Sequence, residues 1–349
     1  MIENASPAVL TQQIEAEAFR LGFCLFGVTH AAAPENYPTY EQWLAQGLNA
    51  GMSYMASTYH RNARRNPSLL LPGVKSILVL GWPYELTLQA SAKPRGWIAG
   101  YGAEADYHHR LLQPMQDLVD FIERHTGIAV ESRCYTDSAP ILERELGRRA
   151  GLGWIARNSC LISPKAGSNF LLTEIFLDFE LPPSHPFAGD RCGTCHRCID
   201  ACPTHCIRND RTIDAGKCIA YLTIENKDGM PPELRNPVGE WLFGCDICQT
   251  VCPWNSRQAR LKHGPQPGAY LGMEEMANDL MLTNAEFKAK WAGSPILRAK
   301  RTGYLRNLVT VIGNAKDEKS ISALKVLLNC EPDASLHELI QWALAMITA

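Results

Sequence analysis

Apolar side chains in the first 185 residues recur with two different spacings, one typical of helices and one typical of strands. The helical spacing predicts helices over Gln12–Leu21, His108–Ile122 and Ile141–Ala150. Short apolar runs predict strands over Ser76–Gly81, Ile128–Val130 and Asn169–Phe179. Because helices and strands alternate here, this part of the chain is predicted to fold as a mixed α/β domain.

The rest of the chain divides into a cysteine-rich segment and a helical tail. Prolines within Pro182–Pro186 predict a linker, and a cysteine-rich block follows over Asp190–Trp254. After the polar, proline-containing segment Gln258–Gly268, three further helices are predicted over Tyr304–Ile312, Ser320–Leu328 and Leu336–Ile347. We therefore expect an α+β protein with a mixed α/β domain (residues 1–185), a cysteine-rich module (186–257) and a short, HEAT-like helical region (258–349).

Composition places the chain among folded proteins and away from membranes. Its 349 residues are 46% hydrophobic and 20% charged, with a formal net charge of −2. No apolar run approaches the ~20 residues that span a bilayer, and the N-terminus has neither a basic region nor an apolar region of the signal-peptide kind. We expect a cytoplasmic protein that does not contact a membrane.

The number and distribution of the cysteines are the most informative features of the composition. Of the 13 cysteines, four are scattered and nine lie between Cys192 and Cys252. Thiols of a cytoplasmic protein stay mostly reduced, which makes a disulfide scaffold a poor explanation. The clustering indicates metal binding.

The first cysteine group follows the pattern of bacterial ferredoxins. Cys192, Cys195, Cys198 and Cys202-Pro203 have the spacing C-x2-C-x2-C-x3-C-P. In that pattern the first three thiolates bind one iron–sulfur cluster, and the fourth binds a different one. A second cysteine group is therefore required.

The second group is Cys245, Cys248 and Cys252-Pro253, which lacks one cysteine of the full run. Cys218 lies upstream and completes a total of eight thiolates, enough for two Cys₄ sites. By the crossing rule, the first cluster is held by Cys192, Cys195, Cys198 and Cys252. The second cluster is held by Cys202, Cys218, Cys245 and Cys248.

Zinc is the alternative metal, because Cys₄ sites also suit it. Zinc sites usually pair two separate C-x2-C knuckles, whereas three cysteines at two-residue intervals followed by Cys-Pro favour iron–sulfur clusters. Cys206 falls outside both motifs and is predicted to be an ordinary thiol, while His196 and His205 are predicted to lie on the surface. Two clusters make an electron conduit, but they do not identify a substrate.

Further motifs flank the cysteines. They are Tyr135–Arg144 (YTDSAPILER), Ala150–Trp154 (AGLGW), Cys218–Glu225 (CIAYLTIE), Phe243–Gln249 (FGCDICQ) and Cys252–Asn255 (CPWN). In this order the set resembles the epoxyqueuosine reductases, which perform the last step of queuosine synthesis in bacterial tRNA. The resemblance extends over residues 52–314.

The resemblance implies a cofactor and a reaction that the spacing does not show. Family members bind cobalamin between the N-terminal domain and the ferredoxin-like module, and they reduce epoxyqueuosine to queuosine. The family's proton donor, which also contacts the cofactor, corresponds to Asp137. Its cobalamin-contacting arginine corresponds to Arg64, and Leu161 and Leu172 fall at corrin-contacting positions that would equally suit a protein core. Ala99 stands where the family has a cysteine or serine, so a polar contact there is not expected.

The chemistry explains why such a site needs an acid. Deoxygenating an epoxide takes two electrons, and the oxygen departs as water. A free aspartic acid has a pKa near ~3.9, so Asp137 must be desolvated to deliver a proton at neutral pH.

Binding tRNA requires local cations on a chain whose net charge is close to zero. Two basic groups are candidates: Lys288, Lys290, Arg298, Lys300, Arg301 and Arg306, and Arg144, Arg148, Arg149 and Arg157. Aromatic stacking on an anticodon base is plausible for Trp97, Tyr101 or Tyr107. The expected partners are tRNA and an unidentified electron donor, and the chain is expected to be a monomer.

Two other functions fit part of the pattern. Reductive dehalogenases also combine cobalamin with two clusters, but they usually carry a twin-arginine export signal and differ around Cys218. A ferredoxin-like electron carrier would not need a further 185 residues with a motif centred on Asp137.

Overall fold

A computed structural model describes residues 6–87, 95–255 and 270–349 of the chain. The strands are β1 (Leu25–Thr29), β2 (Ser76–Pro83), β3 (Arg95–Ile98), β4 (Ser132–Tyr135), β5 (Trp154–Ile155), β6 (Leu161–Ile162), β7 (Phe170–Leu177), β8 (Trp241–Phe243) and β9 (Tyr270–Gly272). The helices of the first half are α1 (Pro7–Arg20), α2 (Tyr37–Ala45), α3 (Thr58–Arg65), α4 (Tyr107–Arg110), α5 (Leu112–Thr126) and α6 (Glu143–Arg149). Those of the second half are α7 (Arg197–Asp200), α8 (Ile219–Ile224), α9 (Pro232–Val238), α10 (Ile247–Thr250), α11 (Met273–Asp279), α12 (Asn284–Lys290), α13 (Lys300–Ala315), α14 (Ile321–Cys330) and α15 (Ala334–Thr348).

The central sheet of the N-terminal part has four antiparallel strands in the order β1-β2-β7-β4. Strand β2 is a continuous apolar run because both faces of the sheet are covered. Helices α1 and α5 pack on one face, and α6 packs on the other. Strand β7 lies between β2 and β4, which places its middle residues at the centre of the sheet.

A second sheet joins all three sequence segments. Strand β3 pairs in parallel with β8 through Trp97↔Trp241 and antiparallel with β9 through Trp97↔Tyr270. Its core continues into α13 and α15. Each of the three predicted segments contributes one strand to this sheet. The domain boundaries at residues 185 and 257 stay a prediction.

Most of the predicted elements are present. Helix α1, strand β2, strand β7, helix α6 and the three C-terminal helices α13, α14 and α15 overlap the predicted ranges. The α+β fold class is confirmed.

Two predicted elements are wrong in detail. Ile128–Val130 is not a strand, because Gly127 ends α5 in a left-handed conformation and the Val130 N–H donates to Glu123 of that helix, 2.8 Å away. Pairing with β7 begins only at β4. The helix predicted over His108–Ile122 is divided at Leu111, because Pro114 has no N–H to continue the helical hydrogen bonds.

The proline-rich segment is not a free linker. Ser184 exchanges hydrogen bonds with Val28 of β1, at 2.9 and 3.0 Å. The polar segment Gln258–Gly268 lies outside the described residues. Within the described ranges, no helix is long and apolar enough to cross a bilayer.

Candidate active site and cysteine clusters

Four cysteines converge on one cavity at the surface of the cysteine-rich module. Cys192 and Cys195 come from the loop that leads into α7, Cys198 lies in α7 itself, and Cys252 follows the end of α10. All four line a cavity of about 260 Å³. This is the set that the crossing rule assigns to the first cluster.

Three of the other four predicted ligands meet at a second place. Cys202, Cys218 and Cys248 pack in one apolar cluster, which Cys198 of the first set also contacts. The pKa of the Cys245 thiol is raised mainly by burial and further by Cys218, Asp246 and Cys202. These residues correspond to the predicted second set.

Two further cysteines contact the second set. The sulfur of Cys206 lies 3.5 Å from that of Cys202, and its hydrogen bond lowers the pKa of Cys202 to about 5. Cys160 makes a thiol contact with Cys248. The sequence analysis predicted that Cys206 is an ordinary thiol and did not predict that it lies next to Cys202. His196 and His205 are exposed, as predicted.

Asp246 fixes the second cysteine loop to the N-terminal part. Its Oδ2 accepts hydrogen bonds from the N–H groups of Gly100 (2.7 Å) and Thr87 (2.8 Å). The sequence analysis did not single it out, although it lies between Cys245 and Cys248 in the quoted motif.

A cleft of about 590 Å³ separates the N-terminal part from the cysteine-rich module. Arg64 and Asp137 line it from one side, and Asp190 and Arg211 line it from the other. Arg64 is buried, stacks against Tyr40, and has an Nη1 atom with no hydrogen-bond partner among the described residues. An unpartnered buried guanidinium nitrogen is suited to a polar ligand in the cleft.

Asp137 sits on the loop after β4 with a left-handed backbone (φ 50°). Its Oδ2 accepts hydrogen bonds from the Tyr107 hydroxyl at 3.0 Å and from Arg298 Nη1 at 3.4 Å. Burial opposes the charged form of Arg298, but the carboxylates of Asp137 and Glu225 raise its pKa above the usual value. Tyr107 and Arg298 therefore hold one carboxylate oxygen, with His108 Nε2 3.8 Å away, and leave Oδ1 without a hydrogen bond from the described residues. The Asp137 side chain is 56% exposed, so the described residues do not provide the desolvation that the sequence analysis requires of this acid.

Two carboxyl groups lie behind the Asp137 loop. Glu143 Oε1 accepts the Asp137 backbone N–H at 2.8 Å. Glu174, in the middle of β7, is fully buried. Burial and then the charge of Asp137 raise the pKa of Glu143 to about 8, and burial and then the charge of Glu143 raise that of Glu174 well above its usual value.

The raised pKa of Glu143 predicts a pH-dependent stability. The unfolded chain ionises this group near pH 4.5, while the folded protein keeps the proton to about pH 8. The contribution of Glu143 to the free energy of unfolding is therefore complete below pH 4.5. It is lost as the pH rises to 8, by about 1.4 kcal/mol per pH unit. Glu143→Gln removes the titration and keeps an acceptor for Asp137. The melting temperature of the variant relative to wild type should rise between pH 5 and pH 8, and a constant difference would contradict the raised pKa of Glu143.

Comparison with known proteins identifies the family. Residues 191–255 match the family model of a 4Fe-4S double cluster binding domain, and residues 64–138 match that of epoxyqueuosine reductase QueG, DUF1730. The epoxyqueuosine reductase of Xanthomonas campestris pv. campestris is 36% identical over 353 aligned residues, which cover 99% of this chain and 98% of the relative. The chain belongs to the epoxyqueuosine reductase family. It is an oxidoreductase with a 4Fe-4S double cluster binding domain, which supports iron–sulfur clusters over zinc as the explanation of the cysteines.

Two solved epoxyqueuosine reductases share the fold. The Bacillus subtilis enzyme, solved with its catalytic aspartate loop swung out of the active site, is 27% identical with a TM-score of 0.84, covering 98% of this chain and 91% of its own. Another, solved with an epoxyqueuosine-modified tRNA stem loop, is 24% identical with a TM-score of 0.83, covering 99% of this chain and 100% of its own.

Most of the cations proposed for tRNA binding make contacts within the protein. Arg306 is buried and donates to three backbone carbonyls, so its assignment to an RNA face is wrong. Arg149 is also buried and donates to two carbonyls, which removes it from such a face. Ion pairs or carbonyl bonds engage Lys290, Arg298, Arg301, Arg148 and Arg157. Lys288, Lys300 and Arg144 are exposed and make no ion pair with the described residues.

The remaining predicted contacts lie mainly in the protein interior. Leu161 is buried and Leu172 half-buried, and both pack in the core beneath α6. Trp97 is 3% exposed, too little to stack on a base, and Tyr101 is half-buried. The predicted corrin contacts of Leu161 and Leu172 and the predicted base stacking of Tyr101 stay predictions. Tyr107 donates a hydrogen bond to Asp137.

Proposed function

We propose that the chain reduces epoxyqueuosine to queuosine in the tRNA anticodon. The cleft next to Asp137 would hold a cobalamin, and the eight cysteines assigned by the crossing rule would hold two [4Fe–4S] clusters. The observation that carries this proposal is the position of Asp137 at a cleft that adjoins the cysteine-rich module, in a chain of the epoxyqueuosine reductase family.

The residues of the cleft fit a cobalamin. Arg64 offers an unpartnered guanidinium nitrogen to the amide and phosphate groups at the rim of that cofactor. Trp43 and Tyr40 supply apolar surface nearby. When bound, cobalamin and the clusters would supply the electrons for reduction of the epoxide.

Asp137 is the proton donor in this proposal. Its free Oδ1 can carry a proton while Oδ2 is held by Tyr107 and Arg298, so the acid is oriented before the substrate arrives. The catalytic aspartate loop of the Bacillus subtilis relative supports this role. The stem loop bound to the second relative supports a tRNA substrate, for which Lys288, Lys300 and Arg144 are the available cations.

Arg64→Ala should weaken cobalamin binding by about 10–100-fold, the loss expected for a hydrogen bond to a charged group. Its exposed neighbour provides a matched control, since Arg65→Ala removes the same charge from the outer side of α3. Spectroscopic titration of each variant with cobalamin measures the effect. Equal affinities for the two variants would contradict the assignment of Arg64.

The proposed reaction can be tested in cells. A bacterial strain that lacks its own epoxyqueuosine reductase accumulates the epoxide in tRNA. Expression of this chain should convert that nucleoside to queuosine, as measured by mass spectrometry of digested tRNA, and Asp137→Asn should not. Unchanged epoxyqueuosine with wild-type protein present and folded would overturn the proposal.

A further inference from the structure

The cavity of the first cysteine set lies at an exposed part of the cysteine-rich module. Between and beside its cysteines, Arg191, Gly193, Thr194, His196 and Arg197 are all exposed. The three cysteines of this segment are themselves half-buried. A cluster bound by them therefore lies close to solvent, where another protein can approach it.

Three arginines line this cavity. They are Arg157, Arg191 and Arg197, and no acidic residue is among the described residues of its lining. Arg157 Nη2 donates to the Gly193 carbonyl at 2.9 Å, and the Arg191 guanidinium lies over the Phe187 ring, 5.2 Å from the ring centre. Arg197 begins α7 and makes no ion pair with the described residues. We call these three arginines the basic rim.

The nearest acids in the sequence cancel only part of the charge of the basic rim. Asp190 pairs with Arg211 and accepts the Cys192 N–H at 2.8 Å, so its charge is engaged within the protein. Asp200, exposed at the end of α7, offsets one of the three positive charges. A positive surface therefore adjoins the cavity, on a chain whose formal net charge is −2.

The proposed reaction explains why a surface of this kind is needed. Epoxide reduction consumes two electrons, which the clusters must receive from outside the chain. Electrons pass between proteins only when the two redox centres come close, so a donor must dock where a cluster lies near the surface. Redox encounters bury little area, and complementary charge makes them fast. The basic rim therefore suits a donor that carries acidic groups around its own redox centre.

We propose that the basic rim is the docking surface for an acidic electron-carrier protein, which reduces the iron–sulfur module through the first cysteine set. At each encounter the carrier loses one electron and the module gains it, with no bond formed or broken and no proton transferred. Two encounters supply the electrons for one epoxide. This inference rests on the proposed function for the destination of the electrons, and on the double cluster binding domain for their entry.

Two other roles of the basic rim make different predictions. Positive charges beside a cluster also stabilise its negative charge, which changes the reduction potential whatever the donor is. Basic side chains also bind RNA phosphates. The RNA role is less favoured, because the tRNA must reach Asp137, and the cleft at Asp137 shares no lining residue with the cavity of the basic rim.

The test is stopped-flow reduction of the full-length protein holding both clusters, followed by the absorbance of the clusters. The two probes are a reduced acidic flavodoxin and the methyl viologen radical, which is a small cation. Arg191→Gln combined with Arg197→Gln should slow reduction by flavodoxin about 10-fold at low salt, and the difference should vanish at high salt. Viologen should reduce this variant at the wild-type rate. Each single substitution should slow flavodoxin by about 3-fold, which keeps the test available if the double variant does not load its clusters.

Two matched variants isolate the effect of charge at this place. Arg191→Lys combined with Arg197→Lys keeps both charges and should keep the flavodoxin rate. Arg124→Gln combined with Arg133→Gln removes two exposed cations that do not line the cavity, and it should also keep that rate. All variants should hold about eight irons per chain, so that a slow rate reports docking and not a missing cluster.

Three outcomes would overturn the proposal. The first is an unchanged flavodoxin rate in the double glutamine variant. The second is equal slowing with viologen, or a shifted midpoint potential, because the arginines would then act on the cluster itself. The third is a loss of tRNA affinity with an unchanged flavodoxin rate, which would assign the basic rim to RNA. The reduction assay contains no epoxyqueuosine, so a chain that accepts electrons at the basic rim but leaves epoxyqueuosine unreduced would overturn only the proposed function.

Discussion

Asp137→Asn should lower the turnover of epoxyqueuosine-tRNA by about 10²–10⁴-fold, the usual worth of general acid catalysis. The amide has nearly the shape of the acid but supplies no proton at neutral pH. Its oxygen can still accept the hydrogen bonds from Tyr107 and Arg298. Asparagine also tolerates the left-handed backbone of this position. The loss should therefore lie in kcat.

Two measurements separate this chemical role from a role in folding. The melting temperature and the cobalamin affinity of Asp137→Asn should match wild type, and reduction of the bound cobalt by an artificial donor should continue. Asp117→Asn on the solvent side of α5 is a matched control and should be fully active. Normal turnover in Asp137→Asn would mean that another group or water is the acid. Loss of cobalamin binding would mean that Asp137 supports the pocket.

Cys202→Ala should remove about four of the eight irons expected for two [4Fe–4S] clusters and abolish turnover. Under the crossing assignment, the lost cluster is the second one, held also by Cys218, Cys245 and Cys248. The surface cluster near Cys192 should keep its electron paramagnetic resonance signal. Iron analysis and spectroscopy of anaerobically purified protein measure both outcomes.

Cys206 provides a demanding control for that experiment, because its sulfur lies only 3.5 Å from that of Cys202. Cys206→Ala should retain about eight irons, since Cys206 is outside both motifs. If Cys206→Ala loses a cluster and Cys202→Ala keeps both, then Cys206 is the cluster ligand and Cys202 is the ordinary thiol. Loss of the surface cluster in Cys202→Ala would contradict the crossing rule.

The sequence predicted those parts of the site that depend on local spacing. Cys192, Cys195 and Cys198 lie on one short segment that runs from a loop into α7, so their convergence follows from a few residues of chain. The apolar runs of β2 and β7 likewise specified buried strands. Asp137 was found through a motif that surrounds it in the sequence.

Contacts between distant segments were not predictable in this way. Arg298 reaches Asp137 across 161 positions of sequence, and it had been assigned to an RNA face with its basic neighbours. Arg306 is buried because α13 packs through the protein core, which a count of positive charges does not reveal. Glu174 did leave a signal, since a lone acid interrupts the apolar strand Phe170–Leu177.

The most direct test of the central claim is the fate of epoxyqueuosine in purified tRNA. Anaerobic wild-type protein with both clusters is incubated with that tRNA and a chemical reductant, with and without cobalamin, and the digested nucleosides are analysed by mass spectrometry. Queuosine, lighter than the substrate by one oxygen, should form only when cobalamin is present. Equal conversion without cobalamin, or no conversion by protein that holds cobalamin and both clusters, would contradict the account.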